Sequence, residues 1–362
     1  MTAILTLENC NLTDTVTIQA EYLYGIPKGY TTAALQPGET LTVEQLLHVL
    51  LIPSANDAGN VLACHIAGSV DNFSIMMNSK AKELGCLNTN FVNPSGVHDD
   101  NHYSTAYDMS LIGKYAHSFE KIKEITNTKN YSLPDLPDGS KRIFKTTNTL
   151  ITPSNEYYYE YATGLKTGYT DKAKSCIVAT AKKDNIELIC VILGGDKTAN
   201  WKSQRELDCH TLFNYGFENY EYYKVCGKNE SLNKSNIINL PSDLQNCDII
   251  YSEDLSLLVN KHNYNNTTSD ISWNISQLPI YKNTTIGTIT YNIDGKHYVI
   301  NLLANSDILP IKSTNSISQF FYILIGIFVI ILLITIFNKQ KNKFHKKKKS
   351  SKEPKYFRHS FY

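Results

Sequence analysis

The stretch Thr163-Gly164-Leu165-Lys166-Thr167-Gly168-Tyr169-Thr170 decides how the rest of the chain is read. A Lys-Thr-Gly triplet alone is three common residues and describes many exposed turns. Here it runs into two apolar, β-rich segments, 175–181 and 187–194, separated by Lys182-Lys183-Asp184-Asn185. That pattern predicts a strand hairpin directly after the triplet. Taken alone, Lys166 is also readable as a solvated charge on a strand edge.

Working outward, the partners of the triplet must be sought elsewhere. Thr42-x-x-Gln45 is a capping box that opens an amphipathic helix with Leu46, Leu47, Val49 and Leu50 inward. Pro53 interrupts it, and a second helix is expected from about 55 to 67, with Ala58, Val61, Leu62 and Ile66 at helical spacing. The connection therefore sets Ser54-Ala55-Asn56 between two buried helices. A polar loop there must satisfy its backbone groups or line a cleft. Ser54 and Asn56 are equally residues that cap a helix. Ser69 caps a third helix that ends at Gly85, and Thr105-x-x-Asp108 opens another that runs to about 116. Met76 and Met77 in the third helix read as core filling. Residues 207–215 form a closing helix, and residues 1–8 read as a helix with no start signal before it.

Hydrophobic residues make up 42% and charged residues 19% of the 362, the balance of a globular protein with ample core material. The net charge of +1 hides an asymmetry. Ten of the 35 basic residues and one of the 34 acidic residues follow Phe337, which leaves 25 and 33 before it, a net of −8. That body is not an obvious nucleic-acid binder. Residues 320–337 (FFYILIGIFVIILLITIF) are uncharged, long enough to span a bilayer, and followed at once by a lysine block. The positive-inside rule then makes the tail, 338–362, cytoplasmic and puts the body on the other side of the membrane. Residues 1–8 nevertheless have none of the features of a signal peptide. Between 217 and 309 the chain is rich in Asn, Thr and Ser with short alternating runs, and Asp294-Gly295 is a hairpin turn, so a small all-β domain is expected there, with 310–319 as linker. The eight cysteines have no C-x-x-C pair and no metal-ligand spacing. No metal or cofactor is expected, and disulfides are compatible with an extracellular body without being assignable from spacing.

Ser54-Ala55-Asn56 and, about 110 residues later, Lys166-Thr167-Gly168 resemble two of the three motifs of the penicillin-recognising serine acyl-transferases, S-D-N and K-T-G. Ala55 departs from the central Asp. The likeness is greatest to the D-alanyl-D-alanine carboxypeptidases, the low-molecular-mass penicillin-binding proteins. LTVEQLLHVLLIPSANDAGNVLACHIAGS, LGCLNTNFVNPSGVHDDNHYSTAYDMSLI and GLKTGYTDKAKSCIVATA resemble that family in order and spacing. ISQLPIYKNTTIGTITYNIDGKHYVINLL resembles its β-rich second domain. The resemblance covers roughly residues 1–305. It implies an α/β catalytic domain over 1–216, an antiparallel sheet flanked by helices, then the all-β domain over 217–309 and the anchor.

The resemblance also implies roles. A serine attacks the D-Ala-D-Ala end of a peptidoglycan stem peptide, and β-lactam antibiotics inhibit by acylating that serine. Ser54 would relay protons to the leaving amine, and Asn56 would bond substrate backbone or the catalytic lysine. Lys166 and Thr167 would hold the terminal carboxylate, Gly168 would leave room for the peptide as an added strand, and the Tyr169 N–H would face the oxyanion. His102 is expected to be structural. The third motif, S-x-x-K, does not precede Ser54; in the family it lies just before a segment like Met1-Thr2-Ala3 on the same helix. Its letters recur at Ser79/Lys82, Ser118/Lys121 and Ser231/Lys234, all read as helix or loop pairs. The expectation is a chain whose beginning is missing, with the first strands of the sheet and the nucleophile, inactive as it stands and poorly stable alone. The alternative is a membrane-anchored, non-catalytic peptidoglycan-binding or scaffolding relative. A class A β-lactamase fits less well, because of the second domain and the apolar helix.

Overall fold

A computed structural model describes residues 1–197, 203–235, 237–262, 268–275, 277–293, 295–310 and 316–349. In chain order the first half contains α1 (Thr2–Asn9), β1 (Thr15–Thr17), β2 (Thr40–Thr42), α2 (Val43–Leu51), α3 (Asn56–Ala67), α4 (Val70–Glu83), α5 (Ala106–His117) and α6 (Glu120–Thr126). Next come β3 (Asn130–Leu133), β4 (Arg142–Lys145), β5 (Ala162–Thr170), β6 (Lys174–Lys183), β7 (Ile186–Gly195) and α7 (Gln204–Asn219). The remainder holds β8 (Tyr220–Cys226), β9 (Ile249–Tyr251), β10 (Leu255–Asn260), β11 (Thr268–Trp273), β12 (Thr285–Ile293), β13 (Lys296–Ala304) and α8 (Ser316–Lys349).

Local signals account for most starts. The Thr42 hydroxyl accepts from the Gln45 N–H while the Gln45 side chain accepts from the Thr42 N–H, the reciprocal box expected at the head of α2. Ser69 and Thr105 accept from the N–H groups of Asn72 and Asp108, so α4 and α5 begin where the cap residues stand. The closing helix starts three residues earlier than expected, at Gln204 rather than Leu207.

Strands β5, β6 and β7 form an antiparallel three-stranded sheet in that order. Its period-2 pattern sorts side chains between two cores. Leu165 and Val178 are buried toward the helices α1–α6, together with Ile4, Leu46, Leu47, Leu62 and Phe73. Ile177, Ala179, Ala181 and Cys190 face α7 instead and pack with Leu150, Tyr159, Cys209 and Phe213. Fully burying a side chain such as Phe73 or Phe213 stabilises by roughly 1.5–3 kcal/mol. Helix α5 approaches the sheet through Gly113, where a Cβ would stand 2.7 Å from Val178 Cγ1. On the opposite side Arg142 of β4 forms a bidentate ion pair with Glu39, whose side chains are only 5% and 16% exposed. That pair ties the β3–β4 hairpin to the turn ahead of β2. Among the described residues β7 pairs only with β6 and β5 only with β6, so both outer edges of the sheet are open.

Two compact units divide the described chain. One comprises Met1–Cys226, Asp254–Thr268 and Asn292–Lys296, and includes the two-stranded sheet β8–β10. The other contains the four-stranded sheet β11-β12-β13-β9 and ends in α8. The expected hairpin joins β12 and β13: Gly295 has φ +74, while Asp294 lies outside the described residues. Of the expected linker, 311–315 lie outside them as well, as does 350–362 of the tail. Helix α8 spans 34 residues, and its apolar side chains from Phe320 to Phe337 are exposed, so this one helix is long and apolar enough to cross a membrane.

Candidate active site

The Lys-Thr-Gly triplet sits in the middle of β5, on an edge strand. Lys166 pairs in register with Val178, Thr167 with Ile177 and Gly168 with Cys176. One hydroxyl contact links this strand to the distant serine loop. Thr167 Oγ1 lies 2.6 Å from Thr147 Oγ1, and the Thr147 N–H donates to the carbonyl of Ile52, two residues before Ser54. The structure thus joins both motifs through a residue that belongs to neither.

Ser54 occupies the left-handed region, with φ +67. A non-glycine residue is strained there, and such outliers gather at functional sites because the surroundings must hold them. Its hydroxyl has no hydrogen-bond partner among the described residues. Nor does it cap a helix: the N-cap of α3 is Ala55, with no side-chain capping bond. Asn56 does not cap either. Its N–H and its Nδ2 each donate to the Thr31 carbonyl, both at 2.9 Å. The capping alternative is thereby removed for both residues. The strap that carries Thr31 is fixed by Asp57, whose carboxylate accepts from the N–H groups of Ala33, Leu35 and Ala58.

Lys166 is half-buried, and its amine donates to the Thr167 carbonyl at 2.8 Å. Burial first, and the nearby Arg205 charge second, lower its pKa to about 8. Arg205 was not singled out in the sequence. It stands in the first turn of α7 and donates at 3.2 Å to the carbonyl of Cys176, the β6 residue paired with Gly168. Glu206 holds it: one carboxylate oxygen accepts from Arg205 Nε at 3.0 Å and from Thr149 Oγ1 at 2.9 Å. Burial opposes ionisation of Glu206, yet the bonds from Arg205, Ser203 and Thr149 keep its carboxyl below the usual range. The sequence did contain a signal for this turn, since Ser203-x-x-Glu206 has the spacing of a helix start. Lys166 on β5 therefore lies within the field of Arg205, whose own charge is paired with Glu206.

The other singled-out residues fall as follows. A Cβ at Gly168 would meet nothing within 4 Å, so the face of β5 is open there. Gly164, the third residue of β5, has φ +154, and a Cβ on it would lie 2.6 Å from the hydroxyl of buried Thr126. The Tyr169 ring is exposed, and its hydroxyl donates to Asp171. No hydrogen bond joins Ser54 or Asn56 to Lys166 among the described residues. His102 packs edge-on against Phe91, its Nδ1 accepts from the Val92 N–H, and burial lowers its pKa, all consistent with a structural role. Lys121 is engaged by Glu44 and Glu124, and Lys234 donates to the carbonyls of Gln245 and Cys247, so these recurrences of the S-x-x-K letters are structural. The described residues contain no cluster of three or more His, Cys, Asp or Glu arranged for a metal.

Comparison with known proteins agrees with this geometry. The family model described as D-alanyl-D-alanine carboxypeptidase matches residues 1–197, and that of the penicillin-binding protein 5 C-terminal domain matches 220–309. The D-alanyl-D-alanine carboxypeptidase DacF of Bacillus subtilis is 35% identical over 265 residues, 72% of this chain and 65% of that protein. DacA of Escherichia coli is 30% identical over 290 residues, 78% of this chain and 68% of the relative. The chain spans 65% and 62% of the length of the Bacillus subtilis and Haemophilus influenzae relatives. Among solved structures, penicillin-binding protein 5 from Haemophilus influenzae superposes with a TM-score of 0.60 at 25% identity, covering 85% of this chain and 87% of that one. A Streptomyces DD-transpeptidase gives 0.53 at 33% identity, over 60% of this chain and 84% of its own. With the edge-strand triplet, the strained serine loop and both family domains in order, the chain belongs to the D-alanyl-D-alanine carboxypeptidase family.

Proposed function

We propose that this chain recognises the D-Ala-D-Ala end of peptidoglycan stem peptides as part of a serine-type carboxypeptidase site. The observation that carries the proposal is the link from the Thr167 hydroxyl to the Thr147 hydroxyl and from the Thr147 N–H to the Ile52 carbonyl, which ties the strand bearing Lys166 to the Ser54 loop. The peptide adds as a strand to the open edge of β5, where Gly168 leaves space. Lys166 and Thr167 hold the terminal carboxylate, with Arg205 reinforcing the field, and the Tyr169 N–H faces the oxyanion. Ser54, strained and unbonded, passes the proton to the leaving amine. Asn56 serves substrate once its amide exchanges the Thr31 carbonyl for the peptide backbone.

Acyl transfer needs a nucleophile made basic by a neighbour, and no Ser-x-x-Lys turn of these 362 residues stands beside Ser54 and Lys166. The residues present supply recognition and proton relay, so these 362 residues bind the peptide without turnover, a loss of about 10⁶ relative to a complete site. The non-catalytic scaffolding reading makes the same prediction for this chain. The two separate when an amino-terminal segment bearing Ser-x-x-Lys is fused ahead of Met1, since only the enzyme reading predicts recovered activity. A fluorescent penicillin should not label the chain stably, while a peptide ending in D-Ala-D-Ala should bind; covalent labelling at a serine within 1–362 would overturn this.

We further propose that α8 spans the membrane with its lysine-rich end in the cytoplasm, as the positive-inside rule directs. Protease added outside intact cells should then digest the folded units and spare that end. Loss of a carboxyl-terminal epitope under the same treatment would reverse the orientation.

A further inference from the structure

We propose that Cys190 of β7 and Cys209 of α7 are a modification site, a pair that oxidises to a disulfide and bolts the helix carrying Arg205 and Glu206 onto the sheet. Their sulfurs lie 3.8 Å apart, already in contact. Both are buried, at 5% and 0% exposure, among Leu150, Tyr159, Ile177 and Phe213. A disulfide needs a sulfur separation of about 2.05 Å, so closing the bond takes a small rotation of each side chain and no shift of either element by a turn. Small buried thiols often serve only as hydrophobes. What sets this pair apart is that each sulfur faces the other. The sulfurs of Cys86, Cys176 and Cys247 instead approach main-chain carbonyls.

The two thiols are not equivalent. In the folded chain the two sulfurs share one hydrogen bond, and that bond with Cys190, together with burial in an apolar core, pushes the Cys209 thiol up. That bond forms only as α7 closes, so before closure either thiol can start the exchange, as Cys190 does in the following steps. With a low-molecular-mass disulfide as oxidant, its thiolate displaces one thiol and forms a mixed disulfide. Cys209 then loses its proton, attacks the Cys190 sulfur and releases the second thiol. Two electrons pass to the reagent, and two protons leave with its thiols. Because both sulfurs are sealed in the folded state, exchange takes place before α7 closes on the sheet, and the finished bond is protected from reductant.

The position gives the cross-link a consequence. Cys209 is one helical turn after Glu206, on the same face. At the far end of β7, a Cβ on Gly195 would stand 3.1 Å from the Arg205 Cβ. The disulfide would therefore hold the helix that carries Arg205 against β7.

The test uses the full chain, refolded either with glutathione disulfide or with dithiothreitol. Free thiols are then blocked with iodoacetamide under denaturing conditions and the peptides mapped by mass spectrometry. The expected result is a linked peptide pair containing Cys190 and Cys209, present only in the oxidised sample. The oxidised chain should melt about 5–10 °C higher, as closure of a loop of this size implies. Cys209→Ala should remove that difference. Recovery of both cysteines alkylated after refolding with glutathione disulfide would overturn the proposal. So would a melting difference that persists in Cys209→Ala. The peptide map needs no variant, so a misfolded Cys209→Ala leaves the test intact.

Discussion

Replacing Asp57 with alanine should lower the stability of the amino-terminal unit by about 3–5 kcal/mol, a third or more of the stability of an ordinary domain. The Asp57 carboxylate is 3% exposed and accepts from the N–H of Ala33 at 2.9 Å, of Leu35 at 3.2 Å and of Ala58 at 3.0 Å. Ala33 and Leu35 are themselves buried. Truncation would leave these donors in an apolar setting with no acceptor, and an orphaned buried donor costs about 1–3 kcal/mol. Asparagine should not rescue, because its amide hydrogens would point at backbone N–H groups. Since the same strap carries the Thr31 carbonyl that meets Asn56, protease should also cut near residues 24–35 in the variant. Urea unfolding that moved by less than about 1 kcal/mol would remove Asp57 from this role.

Substituting Lys166 by methionine should weaken binding of a peptide ending in D-Ala-D-Ala by about 10- to 100-fold, the range for one charged hydrogen bond. The fold should tolerate the change, because methionine keeps the apolar stem and discards the half-buried charge. The pH dependence follows from the sign of the shift. Burial lowers the Lys166 pKa from 10.5 to about 8, so the amine is charged below pH 8 and neutral above it. Carboxylate binding should be flat up to about pH 7 and then fall as pH rises through 8, by at most tenfold per unit. Stability runs the other way. Between about 8 and 10.5 the unfolded chain binds the proton more tightly, so this group's contribution to stability rises with pH and is least below 8. Calorimetric titration across pH 6–10 checks both. An affinity that is unchanged from 7 to 10 would show that Lys166 does not hold the anion.

Much of this was legible in the sequence where the cause is local. The capping box at Thr42, the caps at Ser69 and Thr105 and the hairpin after the triplet all depend on residues within a few positions of each other, and all form. What could not be read depends on pairing across the chain. Thr147 looks like any loop threonine until it meets Thr167. Asp57 looks like an acid placed for the dipole at the head of α3, although its carboxylate serves a segment more than twenty residues upstream. Arg205 was lost because the helix was started at Leu207. The cap-like spelling of Ser54 and Asn56 left two readings that only backbone geometry separates.

The left-handed conformation of Ser54 bears on how its chemistry can be isolated. Glycine adopts that conformation without strain and alanine does not. A Ser54→Gly chain should therefore be at least as stable as the parent, and Ser54→Ala no more stable. The fold would be steadier with no side chain at this position. A hydroxyl retained where the backbone disfavours any side chain is being kept for something other than holding the protein together.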